Sequence, residues 1–320
     1  MKQRRLGRTE QSVSEISLGT WALGSPIYGE VESGAPERLI RHALDEGINF
    51  FDTAPLYGTK ETDGVAETVL GAALGKDRDR VIISTKFGRS STAVLPGRFH
   101  AAEARASCEA SLRRLGRDYL DVLFFHSPFT PEEIHEDVWA ELTALREEGK
   151  VRFLGHSVSC FEDTAAMSAE WMREGRIDVV QVVLSPFNRE ARSLIETAVA
   201  CDCGVVAREC LANGFLSGAL TRDTVFPEGS LNARYSREEI VERVDYAEQL
   251  KTALLDGEVR TLPEATYRWI LDQRGISTAL SGAKQPAELR DALRASSLPG
   301  YAPGVLQQVE TLHSRDFGAA

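Results

Sequence analysis

The chain has 320 residues, of which 42% are hydrophobic and 27% are charged, and its formal net charge is −11. This composition is typical of a globular protein with a large core, and the acidic balance argues against nucleic acid or an anionic membrane as a partner, since both attract positive charge. The sequence has no apolar run of about 18 residues, and no apolar stretch follows the basic N-terminus, so we expect neither a membrane-spanning helix nor a signal peptide.

The cysteines indicate neither a disulfide framework nor a metal site. The five cysteines form no CxxC pair, and the close pair Cys201 and Cys203 has no further histidine or cysteine at ligand spacing. We therefore expect reduced thiols, no bound metal and a cytoplasmic location.

A repeated unit of a short apolar strand, a loop and an amphipathic helix follows an N-terminal hairpin. The hairpin is predicted over 3–15, where the residues alternate, and it could close one end of a barrel. The predicted strands are 16–20, 48–53, 81–86, 120–126, 151–157, 178–184, 204–209 and 276–281. The predicted helices are 36–46, 64–74, 101–115, 131–148, 163–174, 190–200, 237–255, 263–273, 286–295 and 302–315.

This alternation predicts the fold class. Eight strand–helix units in strict order indicate an α/β protein whose parallel strands close into a single (β/α)8 TIM barrel over 1–320, with an N-terminal β-hairpin and extra C-terminal helices. An open, doubly wound sheet is the alternative. It usually carries a glycine fingerprint after its first strand, and the segment 19–24, GTWALG, does not match GxGxxG.

Polar residues at the predicted strand ends indicate a site. Asp52 ends the second strand and Tyr57 lies on the loop after it, while Lys86 and His126 end the third and fourth strands. Taken singly, each of these residues has a simpler explanation. Asp52 could be a core carboxylate with satisfied hydrogen bonds and Tyr57 an aromatic residue on a loop. Lys86 and His126 could be strand-end residues that reach solvent. Because active sites of barrels lie at the carboxyl ends of the strands, the four together predict one catalytic cluster.

The residue types in this cluster suit proton transfer. A phenol with a pKa near 10 is a poor acid at neutral pH. The ammonium of Lys86 should lower the pKa of Tyr57, while Asp52 keeps the lysine charged. A neutral His126 could then hold a substrate oxygen against the phenol. Such a set can interconvert a carbonyl and an alcohol, but it needs a hydride source that side chains do not supply.

Over essentially its whole length the chain resembles the aldo-keto reductase family. The resemblance is carried by Leu6–Thr9, Leu18–Trp21, Phe51–Gly58, Ser84–Lys86, Gly149–Arg152, Arg208–Gly218 and Ser281–Lys284. It implies an NAD(P)(H)-dependent oxidoreductase acting on an aldehyde, ketone or sugar carbonyl and the matching alcohol. It also implies that Tyr57 is the general acid/base, assisted by Asp52, Lys86 and His126, and that an extended nicotinamide dinucleotide crosses the barrel mouth.

The resemblance further implies the binding residues. Ser157 and Gln181 would bind the nicotinamide carboxamide, and Arg208 would pack beside the ring. The implied cofactor set is Gly19, Thr20, Trp21, Asp52, Ser157, Gln181, Arg208, Leu211, Asn213, Gly214, Leu216, Gly282, Lys284 and Glu288. The candidate substrate residues are Trp21, Tyr28, Tyr57, Phe87, His126 and Phe129; core packing explains Trp21, Tyr28, Phe87 and Phe129 equally well.

The chain departs from the family pattern at positions that bear on the cofactor. Val158 stands where the family often has Asn, and Cys210 stands where it often has Pro. Glu288 and Ala292 stand where many NADPH-dependent members have Arg and Asn. A carboxylate would repel a 2′-phosphate, although Lys284 could still hold one. The sequence slightly favours NADP(H), with NAD(H) nearly as well supported.

Three alternatives remain at this point. An NAD-dependent sugar or polyol dehydrogenase would use the same residues, and a nicotinamide-binding regulatory subunit would bind cofactor with little turnover. A metal-dependent barrel hydrolase is disfavoured because the histidines form no HxH pair. We expect a small-molecule partner and a monomer, with an oligomer still open; the substrate and the direction of reaction are not predicted.

Overall fold

The computed structural model describes residues 1–24, 34–59, 61–90 and 98–316, and within them eight parallel strands form a closed barrel. The strands are β1 Gln3–Arg5, β2 Ser12–Ser14, β3 Ile16–Gly19, β4 Phe50–Asp52, β5 Ile82–Phe87, β6 Leu120–His126, β7 Val151–Ser157, β8 Val179–Val183, β9 Gly204–Arg208 and β10 Thr278–Ser281. The barrel runs from β3 to β10 in chain order and closes where β10 pairs with β3. The predicted TIM barrel is therefore confirmed.

Helices surround the barrel and continue beyond its last strand. They are α1 Trp21–Gly24, α2 Ala35–Asp45, α3 Val65–Leu74, α4 Ala101–Leu115, α5 Asp137–Glu147, α6 Phe161–Arg173, α7 Arg192–Ala200, α8 Arg237–Leu254, α9 Leu262–Leu271, α10 Pro286–Ser297 and α11 Pro303–Asp316. Short 3-10 helices occur at Gly75–Arg80, Pro131–Glu133, Ala212–Gly214 and Leu231–Arg234. No helix of the described ranges is long and apolar enough to cross a membrane.

The helix predicted over 131–148 is wrong in its first turns. The chain forms a 3-10 turn over Pro131–Glu133 and only then begins α5 at Asp137. Between them, Ile134 forms an isolated parallel bridge with Phe99, and the amide of His135 donates to the Phe99 carbonyl at 3.0 Å. This pairing takes the backbone groups that a continuous helix would need.

Two apolar clusters fill the molecule, one on each face of the sheet. Strand residues alternate between the faces, so Phe50 points into the barrel while Phe51 packs under the helices. The same alternation separates Phe124 from Phe125. The hairpin β1–β2 supplies interior residues as well, which are Leu6 and Val13. It closes the amino-terminal end of the barrel and leaves the carboxyl end open for a site.

Candidate active site

A cavity of about 640 Å³ lies at the carboxyl ends of the barrel strands. Parallel pairing places the strand-end residues at one height, since Asp52 is opposite Ser84 and His126 is opposite Ser157. The predicted residues that line the cavity are Gly19, Trp21, Asp52, Tyr57, His126, Ser157, Gln181, Arg208, Leu211, Asn213, Gly214, Gly282, Lys284 and Glu288. The barrel thus gathers residues from most of its length into one pocket.

The ammonium of Lys86 lies at the centre of a buried polar cluster. Its Nζ donates to Asp52 Oδ2 at 2.7 Å, to the Thr53 carbonyl at 2.8 Å and to the Tyr57 hydroxyl at 3.0 Å. Lys86 is 1% exposed and Asp52 is 2% exposed, whereas Tyr57 is partly exposed towards the cavity. Lys86 therefore stands behind the phenol, and the phenol faces the open space.

Burial and charge act in opposite directions on this cluster. Burial raises the pKa of the Tyr57 phenol, and the opposing effect of the Lys86 ammonium does not cancel the rise. Burial also lowers the pKa of Lys86, but the carboxylate of Asp52 and the phenol of Tyr57 outweigh it, so the net shift is upward. The expectation that Lys86 lowers the pKa of Tyr57 is right for the pair interaction and wrong for the net shift. At neutral pH the phenol is protonated and the lysine is charged.

His126 faces the phenol across the cavity. Its ring meets the Tyr57 ring edge-on with centroids 5.9 Å apart, and Trp21 stacks on the other side of Tyr57, also at 5.9 Å. Burial, followed by the charges of Lys86 and Arg208 among others, lowers the pKa of His126 well below its ordinary value, so the imidazole is neutral. Its Nδ1 is buried and has no hydrogen-bond partner among the described residues.

A chain of hydrogen bonds leads from Asp52 along the barrel wall. Asp52 Oδ1 accepts from Ser84 Oγ at 2.7 Å and from Gln181 Nε2 at 2.9 Å. The amide oxygen of Gln181 then accepts from Ser157 Oγ at 3.0 Å. These bonds fix which end of the Gln181 amide points to which neighbour, and they hold both Asp52 oxygens in place.

Arg208 ends β9 and begins the loop that borders the cavity. Its Nη2 donates to the Val158 carbonyl at 3.0 Å and to Ser159 Oγ at 2.7 Å, and its Nη1 contacts the Glu209 carboxylate. Its Nε is buried without a partner in the described structure. Beyond it, Ala212 and Asn213 have φ angles of 47° and 55°, and the amide of Ala212 donates to the Glu209 carbonyl at 2.8 Å.

The next border of the cavity follows β10, which pairs with β9, and it is acidic. Glu288 lies in the first turn of α10, and its Oε2 accepts the backbone N–H of Lys284 at 2.9 Å. Asp291 also lines this part of the cavity, as does the buried Tyr267. Two carboxylates of α10 therefore line the cavity, and that of Glu288 contacts Lys284.

Four predicted residues of the described chain have their side chains elsewhere. Thr20 and Leu216 are fully buried, and Thr20 Oγ1 donates to the Asp52 carbonyl at 3.1 Å. Phe129 is 40% exposed outside the cavity. Phe87 packs against Phe99 and beneath the helices, and its assignment to the substrate wall is corrected: it follows the inward-facing Lys86, and strand alternation turns it outward.

The predicted and the observed site also differ in residues that only one of them contains. Tyr28 was predicted to contact the substrate, but it lies outside the described residues. The residues that line the cavity and were not predicted include Arg89, Ser127, Ser159, Tyr267 and Asp291. Ser127 follows β6 by one residue and Ser159 follows β7 by two, on loops that the strand pattern does not describe. Among the described residues no group of three His, Cys, Asp or Glu side chains could hold a metal ion.

Comparisons with known proteins agree with this geometry. The sequence model described as the aldo/keto reductase family matches residues 15–312. An NADH-specific methylglyoxal reductase of Escherichia coli (strain K12) is 31% identical over 93% of this chain and 94% of that protein. A probable voltage-gated potassium channel subunit beta of Arabidopsis thaliana is 27% identical over 97% of this chain and 96% of its own.

A solved structure extends the similarity to the whole fold. The glycerol dehydrogenase from Gluconobacter oxydans superposes with a TM-score of 0.85 at 26% identity, covering 99% of this chain and 97% of that one. The family match spans far more than half of the chain, and the barrel and its hairpin agree with it. The chain belongs to the aldo/keto reductase family of oxidoreductases.

Proposed function

We propose that the protein interconverts an aldehyde, ketone or sugar carbonyl and the alcohol by hydride transfer, with Tyr57 as general acid/base. One observation carries the proposal: the cavity-facing phenol of Tyr57 hydrogen-bonds at 3.0 Å to a buried ammonium, which Asp52 holds at 2.7 Å. This arrangement places a proton donor at the surface of a pocket and a fixed positive charge behind it.

In the reduction, the Tyr57 hydroxyl gives its proton to the substrate oxygen as that oxygen becomes negative. The Lys86 ammonium stabilises the phenolate that remains, because Lys86 is buried and its Nζ already contacts the Tyr57 hydroxyl. Neutral His126 donates a hydrogen bond to the same oxygen and orients it. In the oxidation the phenolate accepts the hydroxyl proton. Asp52 keeps Lys86 charged and touches neither reacting atom.

The residues of the cavity fit a nicotinamide dinucleotide, which supplies or accepts the hydride when bound. Gln181 and Ser157 are buried polar side chains suited to a carboxamide. The buried Nε of Arg208 has no hydrogen-bond partner among the described residues and could donate to the cofactor. In the loop after Arg208 the amide of Ala212 already donates to the Glu209 carbonyl, whereas the amide of Asn213, whose φ is 55°, suits a pyrophosphate oxygen. These residues, with Gly214, would hold the cofactor.

We further propose NAD(H) as the preferred form, although the sequence slightly favours NADP(H). Glu288 and Asp291 both line the cavity, Glu288 in contact with Lys284, and carboxylates near a 2′-phosphate would repel it. A carboxylate can instead accept a hydrogen bond from a 2′-hydroxyl. The NADH specificity in the name of the Escherichia coli relative supports the same choice.

Titration of protein fluorescence with NADH and NADPH side by side tests the cofactor proposal. NADH should bind at least about tenfold more tightly than NADPH. Glu288→Gln should strengthen the binding of NADPH and so reduce the preference for NADH over NADPH. Glu37→Gln is the control, since Glu37 also lies in the first turn of a helix, α2, but outside the cavity. Tighter binding of NADPH to the unaltered protein would refute the proposal.

A second candidate function is regulatory. The Arabidopsis thaliana relative, named as a probable channel subunit, is similar over nearly the whole chain. A regulatory subunit would bind NADH and show negligible turnover. Methylglyoxal and glycerol, named in two of the relatives, are the first substrates to try. Steady NADH oxidation with methylglyoxal, or NADH formation with glycerol, would favour the enzyme.

A further inference from the structure

Arg89 is a cation at the cavity that the proton chemistry does not use. It follows the strand β5 by two residues, is half-buried and lines the cavity. Its guanidinium lies over the ring of Phe129, 3.9 Å from the centroid. With the residues of the described ranges it forms no hydrogen bond and no ion pair. Its charge is therefore held in place by an aromatic face, and its N–H groups remain available.

Two other cations around the cavity differ from Arg89 because each of them contacts a carboxylate. Lys86 is bound to Asp52, and Arg208 contacts Glu209. Burial is the main cause that lowers the pKa of Arg89, and the next is the charge of Arg98, so a second cation stands close by. Arg98 has a buried Nε without a partner in the described structure. Among the described residues neither guanidinium contacts a carboxylate, although the charge of Glu133 also acts on Arg89, and the N–H groups of the two arginines favour an anion beside them.

The position of Arg89 separates it from the acidic border of the cavity. In the barrel ring β10, which precedes Glu288, lies opposite β6 and three strands from β5. Arg89 follows β5, stacks on a residue that follows β6, and is close enough to His126 to contribute to the low pKa of that imidazole. It therefore stands on the side of the proton-transfer residues and away from Glu288 and Lys284.

We propose that Arg89 binds an anionic group of the substrate, so that the preferred substrates are carbonyl compounds, or the matching alcohols, that carry a carboxylate or a phosphate. The inference rests on the proposed function. The planar fork of a guanidinium matches both anions with two hydrogen bonds. The net charge of −11 gives no general attraction for anions, so an anionic group at this cavity depends on a local cation.

Matched substrate pairs test this inference. In each pair the carbonyl is kept and the charge is changed: 4-oxobutanoate against butanal for a carboxylate, and glyceraldehyde 3-phosphate against glyceraldehyde for a phosphate. The native enzyme with NADH should favour at least one charged member by about tenfold or more in kcat/KM. Arg89→Gln should lose about 10- to 100-fold on that member and little on its neutral partner, and Arg89→Lys should keep part of the preference.

Arg152→Gln is the matched control. Arg152 also stacks on an aromatic ring, that of Tyr119 at 3.8 Å, but it lies near the start of β7 and outside the cavity. Arg152→Gln should leave unchanged the ratio of kcat/KM for the charged substrate to kcat/KM for the neutral one. The Kd of NADH should be the same in Arg89→Gln as in the native protein. Equal losses on both members of each pair, or weakened NADH binding in Arg89→Gln, would overturn the assignment of Arg89 to the substrate.

A binding measurement separates this inference from the proposed function. Succinate, a dianion that does not react, can be titrated against the fluorescence of Trp21, which lines the cavity. Succinate binding that Arg89→Gln abolishes supports the anion site even if the protein turns over no aldehyde. Turnover of the aldehydes without Arg89-dependent succinate binding or charge preference contradicts the anion site and leaves the reductase function intact.

Discussion

Lys86 shows how a single residue joins the stability of this barrel to its chemistry. An ammonium taken out of water costs several kcal/mol unless hydrogen bonds and an opposite charge replace the water. The carboxylate of Asp52, the carbonyl of Thr53 and the hydroxyl of Tyr57 are the three acceptors around Nζ. The third of these acceptors is the proposed proton donor. The same ammonium therefore satisfies a buried carboxylate and polarises the phenol.

Replacement of Lys86 should damage both properties. Lys86→Met leaves Asp52 buried without its cation, so the free energy of unfolding should fall by about 3–5 kcal/mol in urea titrations. The phenolate also loses its stabilising charge, so kcat should fall by about 100-fold or more. Ser84→Ala, which removes one hydrogen bond to Asp52, should cost about 1 kcal/mol and spare most of the turnover. Native-like turnover by Lys86→Met would contradict this role.

His156 links stability to pH at a second buried position. It lies on β7, is fully buried with its ring 5.3 Å from that of Trp171, and burial lowers its pKa to about 3. In the unfolded chain an imidazole has a pKa of about 6.5. Below that pH the imidazole binds a proton in the unfolded chain but stays neutral in the folded chain. The contribution to stability is therefore fully present above about pH 6.5 and is lost as the pH falls towards the folded pKa.

His156→Leu should flatten this pH dependence. The native protein should lose about 2 kcal/mol more than the variant between pH 6.5 and pH 5, because one group binds a proton only on unfolding. At pH 7 the variant should be about as stable as the native protein or more so, since neither ring nitrogen of His156 has a partner among the described residues. Urea titrations at the two pH values measure the difference. Parallel losses in both proteins would contradict the prediction.

At the scale of elements, the hairpin β1–β2 is packed tightly against the closed end of the barrel. Leu6 contributes to the interior cluster, and the next residue, Gly7, has a φ of 52°. A β-carbon at Gly7 would lie 2.2 Å from the backbone nitrogen of Gly204. Only a glycine allows both this left-handed conformation and this approach of the two backbones.

Gly7→Ala should therefore destabilise the protein by about 3 kcal/mol or more, through strain and a backbone clash together. Gly149→Ala is the control, because Gly149 has a φ of 73° and nothing within 4 Å of its would-be β-carbon. It should cost about 1–2 kcal/mol from conformation alone. Because Gly7 lies at the end opposite the cavity, Gly7→Ala should keep its kcat at low temperature. Equal losses in thermal unfolding of the two variants would contradict this packing argument.

The strands were largely predictable from the sequence, but the directions of their side chains were not. Apolar runs predicted Leu120–His126 and Val151–Ser157 with the bounds that the structure has. Strands buried on both faces are nearly continuous in hydrophobicity, so nothing in the pattern shows that Lys86 points inward and Phe87 outward. That orientation depends on the register of the whole sheet.

The position of the polar residues at the strand ends was predictable from the barrel, and the path of the loops was not. Asp52 and His126 end their strands, and barrel geometry brings strand ends to one height. Arg89, Ser127 and Ser159 lie on loops, where the path of the backbone decides what faces the cavity. Ser127, for example, turns at a φ of 51°, which no periodic pattern indicates.

At the scale of the whole molecule, ion pairs between side chains hold the C-terminal helix α11 against the barrel. Glu310 on α11 accepts from both Nη atoms of Arg192 at 2.7 and 2.6 Å, and from Arg189 at 2.9 Å. Arg189 is itself buried and contacts the Val309 carbonyl at 3.3 Å. The sequence predicts a single domain over 1–320, and for the described residues these contacts support that proposal.

The closed barrel makes Tyr57 depend on residues that lie far apart in the chain, from Asp52 to Arg208. The central claim is that this assembled mouth transfers a proton through the Tyr57 hydroxyl while it binds a nicotinamide cofactor. Tyr57→Phe removes the hydroxyl and keeps the ring that stacks with Trp21. Tyr119→Phe is the control, since Tyr119 carries Arg117 and Arg152 over its ring away from the cavity.

The most direct test measures NADH binding and aldehyde-dependent NADH oxidation on the same preparations of the native protein and both variants. We expect all three proteins to bind NADH with a similar Kd. Turnover should fall by at least about 100-fold in Tyr57→Phe alone. Native-like turnover in Tyr57→Phe, or a native protein that neither binds NADH nor oxidises it, would contradict the account.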